Sequence, residues 1–306
     1  MGEKTKVALV ILNFNRKRDT LECLDSGKKL HSKYIDLLTF VVDNGSTDAS
    51  VRDIKKQFPE VKLIENHRNL GFCEGNNVGA KAAFAAGADY VIILNNDTLL
   101  HPLMVEELVK TTQQEKAGVA SPKIYFAQGF EFHKDRYTQE EQGKVIWYAG
   151  GHIDWKNVWP SHRGVDEVDH GQYDKVEDTM FATGCATLLS KEVYARLGLY
   201  DPRYVFYFED LDFSLRAQQS GFRIIYAPQA KLWHKNAASF GGSGSPFQDY
   251  FITRNRLLFG LRYASPRAKL ALLREAARFF IQGSPIKRKA VIDALLRRIP
   301  KIEDVR

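Results

Sequence analysis

Apolar runs of strand length alternate with helical patterns over the first 114 positions. The runs at 6–12, 37–42, 61–64 and 90–94 read as strands, and the best of them are apolar on consecutive positions. A strand covered on both faces requires that pattern. Helical stretches lie between them at 20–30, 49–58 and 75–86, with Ser46-Thr47-Asp48 placed to cap the second. A helix at 102–114 opens on Pro102, where the missing N–H costs little. This βαβαβαβ order predicts an α/β fold with a parallel, right-handed, doubly wound sheet. From about 127 to 178 the pattern dissolves into polar and aromatic sequence rich in Gly, His and Trp. An insertion of short antiparallel strands and long loops is expected there. Regularity returns with a strand at 186–189, helices at 191–197 and 211–220, and a strand at 223–226. The run Gly241–Ser245 reads as a flexible loop, and a helical extension follows from about Asp249. The expected division is a body, 1–248, and an extension, 249–306.

With 306 residues, 44% of them hydrophobic, the chain can bury a sizeable core. The apolar run ending at Leu12 leads straight into Asn13-Phe14-Asn15 with no small-residue cleavage site, so it does not read as a signal peptide. No eighteen apolar residues run together. Three cysteines, Cys23, Cys73 and Cys185, form no C-x-x-C pair, which fits a reducing compartment and a cytoplasmic location. The net charge of +7 is uneven: residues 262–306 hold 12 Lys and Arg against 4 Asp and Glu, or +8, leaving −1 for the rest. A basic arm is therefore expected, and a nucleic-acid footprint over the whole protein is not.

In an open parallel sheet, ligands gather outside the carboxyl ends of the strands. Asn13 follows the first strand, Asp43 the second and Asn95-Asn96-Asp97 the fourth. Each alone is a residue type that also caps helices and closes turns. Three groups at one rim make a ligand site the stronger reading.

Those residues belong to longer motifs. Val41-Val42-Asp43-Asn44-Gly45-Ser46-Thr47-Asp48, Asn69-Leu70-Gly71-Phe72, Gly75-Asn76-Asn77 with Gly79, and Leu94-Asn95-Asn96-Asp97 resemble glycosyltransferase family 2, with its GT-A fold. The rhamnosyltransferase-like branch matches best. Phe208-Glu209-Asp210-Leu211-Asp212 and Trp233-His234-Lys235 continue the resemblance, which spans roughly residues 5–260. It implies an inverting, metal-dependent enzyme that moves a sugar from a nucleotide-sugar to a hydroxyl. On the donor side it implies Asn13, Asp43, Asn69, Gly71, Asn76 and Asn95. The loop at 241–245 reads either as a plain linker or as a mobile loop closing over the donor phosphates, and Arg254-Asn255-Arg256 shortly after it favours closure, with Arg254 on the donor. Asp43 would accept from the imide N–H of the base, a donor that uracil and thymine share, so UDP- and dTDP-sugars both remain. Asn95 stands where the family commonly has the first acid of Asp-x-Asp, and would contact ribose or a metal-bound water. Asp97 is the implied ligand of Mg²⁺ or Mn²⁺, and Mg²⁺ needs only one or two protein carboxylates. His234 is the second implied ligand, and imidazole suits Mn²⁺ better than Mg²⁺; its ordinary alternative is a satisfied structural histidine.

Glu209, Asp210 and Asp212 open a helix, where acids also complement the dipole. As chemistry, Asp210 would deprotonate the acceptor, with Glu209 its close competitor and Asp212 structural. Gly184-Cys185-Ala186 reads either as tight packing or as a backbone wall beside the sugar. The insertion at 127–178 would shape the acceptor pocket; its histidines lack metal-ligand spacing. In the extension, Leu270, Leu273, Ala277, Phe280 and Ile281 recur at helical spacing among Arg267, Lys269, Arg274 and Arg278. That stripe either packs on the body or lies on the anionic inner leaflet of a membrane, near a glycan or lipid-linked acceptor. The oligomeric state is open. A nucleotidyltransferase would want a Gly-rich, Arg-containing loop where Asn13–Arg18 stands without glycine, and an NAD enzyme a G-x-G-x-x-G that Gly71, Gly75 and Gly79 do not form. A non-catalytic nucleotide- or glycan-binding scaffold of the same fold has no need to keep Asp43, Asp97 and Asp210 together.

Overall fold

The computed structural model describes residues 4–236 and 244–305; positions 241–243 of the expected loop lie outside the described residues. Strands β1 (Thr5–Asn13), β2 (Ile35–Asp43), β3 (Lys62–Glu65) and β4 (Tyr90–Asn95) alternate with helices α1 (Lys17–Gly27), α2 (Ser50–Gln57) and α3 (Gly71–Ala85). The four strands lie parallel in the order β3-β2-β1-β4. Their consecutive apolar positions are covered on both faces, so that Val7 to Ile11 are no more than 1% exposed.

Beyond β4 come the short β5 (Thr98–Leu100), helix α4 (Met104–Gln114) and β6 (Val119–Phe126). The periodicity passes over β6, because Ser121-Pro122-Lys123 breaks its apolar run, yet all eight of its residues are buried. Pro122 has no N–H for a ladder. Opposite it the parallel partner slips register between Ala227 and Lys231. Lys123 directs its Nζ to Asp169 at 2.8 Å and Asp174 at 2.6 Å, so its buried charge is paired.

The insertion contributes β7 (Ile146–Tyr148), β8 (Gly151–Asp154), β9 (Trp159–His162) and β10 (Glu177–Asp178). β8 and β9 form an antiparallel hairpin, and β7 adds antiparallel to β6. β11 (Ala186–Ser190) runs against both β4 and β6. Helices α5 (Lys191–Leu197) and α6 (Glu209–Gln219) follow, then β12 (Ile224–His234). β12 runs eight residues past the end expected at 226. That length sets His234 opposite Thr98, beside Asp97.

Three helices end the chain: α7 (Pro246–Tyr263), α8 (Pro266–Gln282) and α9 (Pro285–Leu295). Each starts with proline in its first turn behind Ser245, Ser265 or Ser284. Proline's fixed φ favours a helix start at all three points, and the Ser245 and Ser265 side chains add a cap at the first two. The boundary expected at 248/249 falls inside α7. Phe247, Tyr250 and Phe251 of α7 share a core with Val205, Ala290, Ile302 and Val305, so the extension is joined to the body by buried apolar contact. α8 turns Ala268, Leu272 and Ala276 inward, while the stripe from Leu270 to Ile281 faces out. Ala268 and Ala276 let the helix approach closely; among the described residues nothing covers Leu270, Leu273, Phe280 and Ile281.

Candidate active site

Parallel register brings the polar strand ends together, Asn13 opposite Asp43 and Leu12 opposite Asn95. Asp43 is almost wholly buried. Its Oδ2 accepts from the main-chain N–H of Gly45 (3.1 Å) and Ser46 (2.8 Å), and its Oδ1 from Asn13 Nδ2 (2.7 Å). Asn13 has no exposed surface, and its Oδ1 accepts from Thr20 Oγ1 at 2.8 Å. Asn96 Nδ2 donates to the same hydroxyl oxygen at 2.9 Å. A continuous chain of hydrogen bonds therefore runs from the Asn95–Asp97 corner through Thr20 and Asn13 to Asp43. Asn13 orients Asp43 and has no free group for a ligand. Thr20, on α1, was not singled out from the sequence; an isolated threonine in a helix carries no signal of what its hydroxyl meets.

The next layer is Asn44, Asn69, Gly71 and Asn76. Asn69 Oδ1 accepts from Gly71 N at 2.9 Å, and Asn76 Nδ2 donates to Phe72 O at 2.9 Å. Asn69 Nδ2 and Asn76 Oδ1 are buried without a hydrogen-bond partner, which marks polar capacity left for something not in the chain. Gly71 sits at φ 82°, and a Cβ there would meet Val205 Cγ1 at 2.8 Å. The Val205 carbonyl accepts from the N–H groups of Phe72 and Cys73 at the start of α3. Gly71 thus permits close packing of α3 on the 201–208 segment.

At the other edge of the rim, Asp97 Oδ1 lies 3.0 Å from His234 Nε2, and both residues are buried. Burial disfavours charge on His234, but Asp97 first and Cys185 next outweigh it and hold the imidazole well above its usual pKa. The half-buried Trp147 of the insertion meets His234 edge-on with ring centres 4.6 Å apart, and meets His162 at 4.3 Å. Burial takes His162 down to about 4. Among the described residues no three His, Cys, Asp or Glu side chains gather as a metal-binding group. Two protein ligands suit a cation that takes its remaining ligands from phosphate and water.

The acids stand on strained backbone. Val205, Tyr207 and Phe208 have φ of 62°, 64° and 69°, the left-handed region that bulky residues rarely adopt. Asn255 of α7 holds them there, its Nδ2 donating to the carbonyls of Tyr204 (2.8 Å), Phe206 (2.6 Å) and Tyr207 (2.9 Å). Glu209 is buried, and its Oε2 has no partner. Its Oε1 would stand only 3.2 Å from a Cβ on Gly184. Asp210 keeps some exposed surface and accepts from Gly184 N (3.0 Å) and Leu211 N (2.9 Å). Burial, then the neighbouring Asp210, raise Glu209 well above the carboxylate range. Burial also raises Asp210, against the two main-chain donors that favour its charge. Asp212 is fully buried and tied to Arg216 (2.7 Å), Arg262 (2.9 Å) and Tyr263 (2.7 Å).

Arg254 corrects the sequence reading. It is fully buried, and its guanidinium donates to the carbonyls of Arg203 (2.8 Å) and Arg298 and to Asn255. It braces the 201–208 segment and the chain end, and with no exposed surface it presents no guanidinium to a phosphate, its Nε being buried without a partner.

The profile of glycosyl transferase family 2 matches residues 8–198. The N-acetylglucosaminyl-diphospho-decaprenol L-rhamnosyltransferase of Mycobacterium tuberculosis is 26% identical over 211 residues, 66% of this chain and 67% of its own. The dTDP-rhamnosyl transferase RfbF of Shigella flexneri is 23% identical over 83% of this chain and 79% of its own. The O-antigen biosynthesis protein RfbC of Myxococcus xanthus is far longer, and the 25% identical match spans 18% of it. Among solved structures, GalNAc-T7 with UDP, GalNAc and Mn²⁺ matches 98% of this chain and 55% of its own at a TM-score of 0.67 and 17% identity.

Proposed function

The chain belongs to glycosyl transferase family 2 and is a glycosyltransferase, and we propose that it inverts the anomeric carbon of a UDP- or dTDP-sugar while transferring the sugar to a hydroxyl of a glycan or lipid-linked acceptor. A dTDP-sugar, rhamnose among them, is favoured by the relative named for dTDP-rhamnosyl transfer. A lipid-linked acceptor is favoured by the relative named for a diphospho-decaprenol substrate. The proposal sets the enzyme on the cytoplasmic side, against the inner face of the membrane.

The observation that carries this reading is the meeting of Asp97 and His234, 137 positions apart in sequence and 3.0 Å apart in space, at the rim that also holds Asp43. Acid plus imidazole is a donor set suited to Mg²⁺ or Mn²⁺, the imidazole giving up to solvent the proton that Asp97 holds on it when the cation enters. A cation held there would neutralise charge on the departing diphosphate. Asp43, fixed by three N–H donors, would accept from a pyrimidine imide, and Asn69 and Asn76 have unpartnered polar atoms. Asp210 takes the proton of the acceptor hydroxyl as its oxygen bonds to the anomeric carbon, and the diphosphate leaves from the opposite face with the electron pair of the broken bond. Two features favour Asp210 over Glu209 as base. It has exposed surface, and its main-chain donors keep it the more readily ionised of the pair. Glu209, deeper and raised further by burial and by Asp210, holds its proton the more tightly of the two.

Calorimetry with UDP, dTDP, GDP and CDP, each with and without Mn²⁺ or Mg²⁺, tests the donor site. Binding of one pyrimidine diphosphate only in the presence of metal is expected. Binding of none, or equal binding without metal, would sink the reading.

A further inference from the structure

We propose that the outward face of α8 is an interfacial surface that seats the enzyme on an anionic lipid bilayer. Leu270, Leu273, Phe280 and Ile281 are 50%, 41%, 53% and 69% exposed, and with Ala277 they recur on one face of the helix. Large apolar side chains aligned in this way on a surface helix call for a cover. Arg267, Arg274 and Arg278 are exposed along one border of the stripe. The single acid of α8, Glu275, turns inward to Arg256 at 2.7 Å. The face therefore presents apolar groups and positive charge that no acid among the described residues pairs, on the part of the chain that carries the whole net charge. A helix with Phe and Leu on one face and arginine beside it has the composition of one lying at a headgroup boundary.

Charge decides between occupants. In a two-fold contact with a second copy, the same face would meet itself, setting one arginine border against another. An anionic bilayer offers apolar depth and negative headgroups together. The chain end has the same composition: Leu295, Leu296 and Ile299 are all more than half exposed, next in sequence to Arg297 and Arg298. The inference extends the reading of a lipid-linked acceptor, but its test is independent of catalysis.

Full-length protein is floated with vesicles of phosphatidylcholine alone or in equal mixture with phosphatidylglycerol. Recovery with the anionic vesicles only is expected. Each cation near such a surface is worth roughly fivefold in binding, so Arg267→Gln/Arg274→Gln/Arg278→Gln lowers affinity about 10²-fold. Phe280→Ser/Ile281→Ser, at exposed positions that leave the core untouched, lowers it at least ~10-fold. Both variants bind nucleotide without vesicles as the wild type does, so failure here and failure of the donor site are read separately. Equal recovery of wild type and variants, or no recovery at all, overturns the proposal. A dimer in sedimentation that Phe280→Ser/Ile281→Ser dissociates, with no flotation, overturns it in favour of a second copy.

Discussion

The donor rim and the acid segment meet at one end of the sheet, and they are built differently. On the rim, Asp43, Asn13, Thr20 and Asn96 form a continuous chain of hydrogen bonds, and the unpartnered atoms are the Asn69 Nδ2 and Asn76 Oδ1 of the layer behind it. The acid segment carries three bulky residues at positive φ, a buried Glu209 oxygen with no partner, and two acids raised by burial. A satisfied polar network holds its geometry before the ligand arrives, which serves binding. Strain and desolvation cost stability and persist only where the surroundings impose them, which serves reactivity. Here the imposing element is α7, through Asn255 and Arg254.

The comparison can be broken at four points. The largest effect is expected from Asp210→Asn, which slows transfer by about 10²–10⁴-fold while nucleotide affinity stays within twofold by calorimetry. Comparable rates in Asp210→Asn and wild type, with Glu209→Gln inactive, would move the base to Glu209. Asn255→Ala is next. It strips three buried carbonyls of a donor and costs ~1–3 kcal/mol in chemical denaturation, with kcat falling and nucleotide binding retained. Loss of nucleotide binding in that variant would mean the two regions are not separable.

Glu209→Gln reads the desolvation directly. A carboxyl raised in the folded state holds a proton that the unfolded chain releases above about 4.5. Wild-type stability therefore falls as pH rises from that value toward the raised pKa, by up to about 1.4 kcal/mol per pH unit. Denaturation midpoints at pH 5 and 7 should diverge less for Glu209→Gln than for wild type. The activity profile runs the other way, rising with pH. Asp210 must be ionised to act, so its raised pKa moves the acid limb of kcat above the ordinary aspartate range. The smallest effect is assigned to Thr20→Val, which cuts the link between Asn96 and Asn13 and weakens nucleotide binding by about 1 kcal/mol, with no change in the pH profile. Thr20→Ser, which keeps the hydroxyl, restores most of it.

Much of the rim was legible in the sequence. Asp43 and Asn95–Asp97 follow apolar runs that can only be covered strands, and the carboxyl end of such strands is where ligands bind. The pair Glu209-Asp210 was visible as acids at a helix start, yet their ranking needed burial and two main-chain donors. β6 was missed because Pro122 and Lys123 look like a break, and only the register slip in β12 and the paired Asp169 and Asp174 make them tolerable inside a sheet. Arg254 was misplaced because an arginine after a glycine-rich loop has the same spelling whether it faces phosphates or main-chain carbonyls.

The sequence alone determined the alternating order of elements, the polar strand ends, and the uneven charge that loads the last 45 residues, because those follow from local periodicity and composition. Tertiary structure decided which long-range partners meet. It brought His234 to Asp97, Thr20 under Asn13, and Asn255 onto the segment before the acids. It also left the α8 stripe uncovered, since Ala268, Leu272 and Ala276 took the inward face. Periodicity states that a helix has an apolar side; which side finds a surface to bury against depends on every other element packed around it.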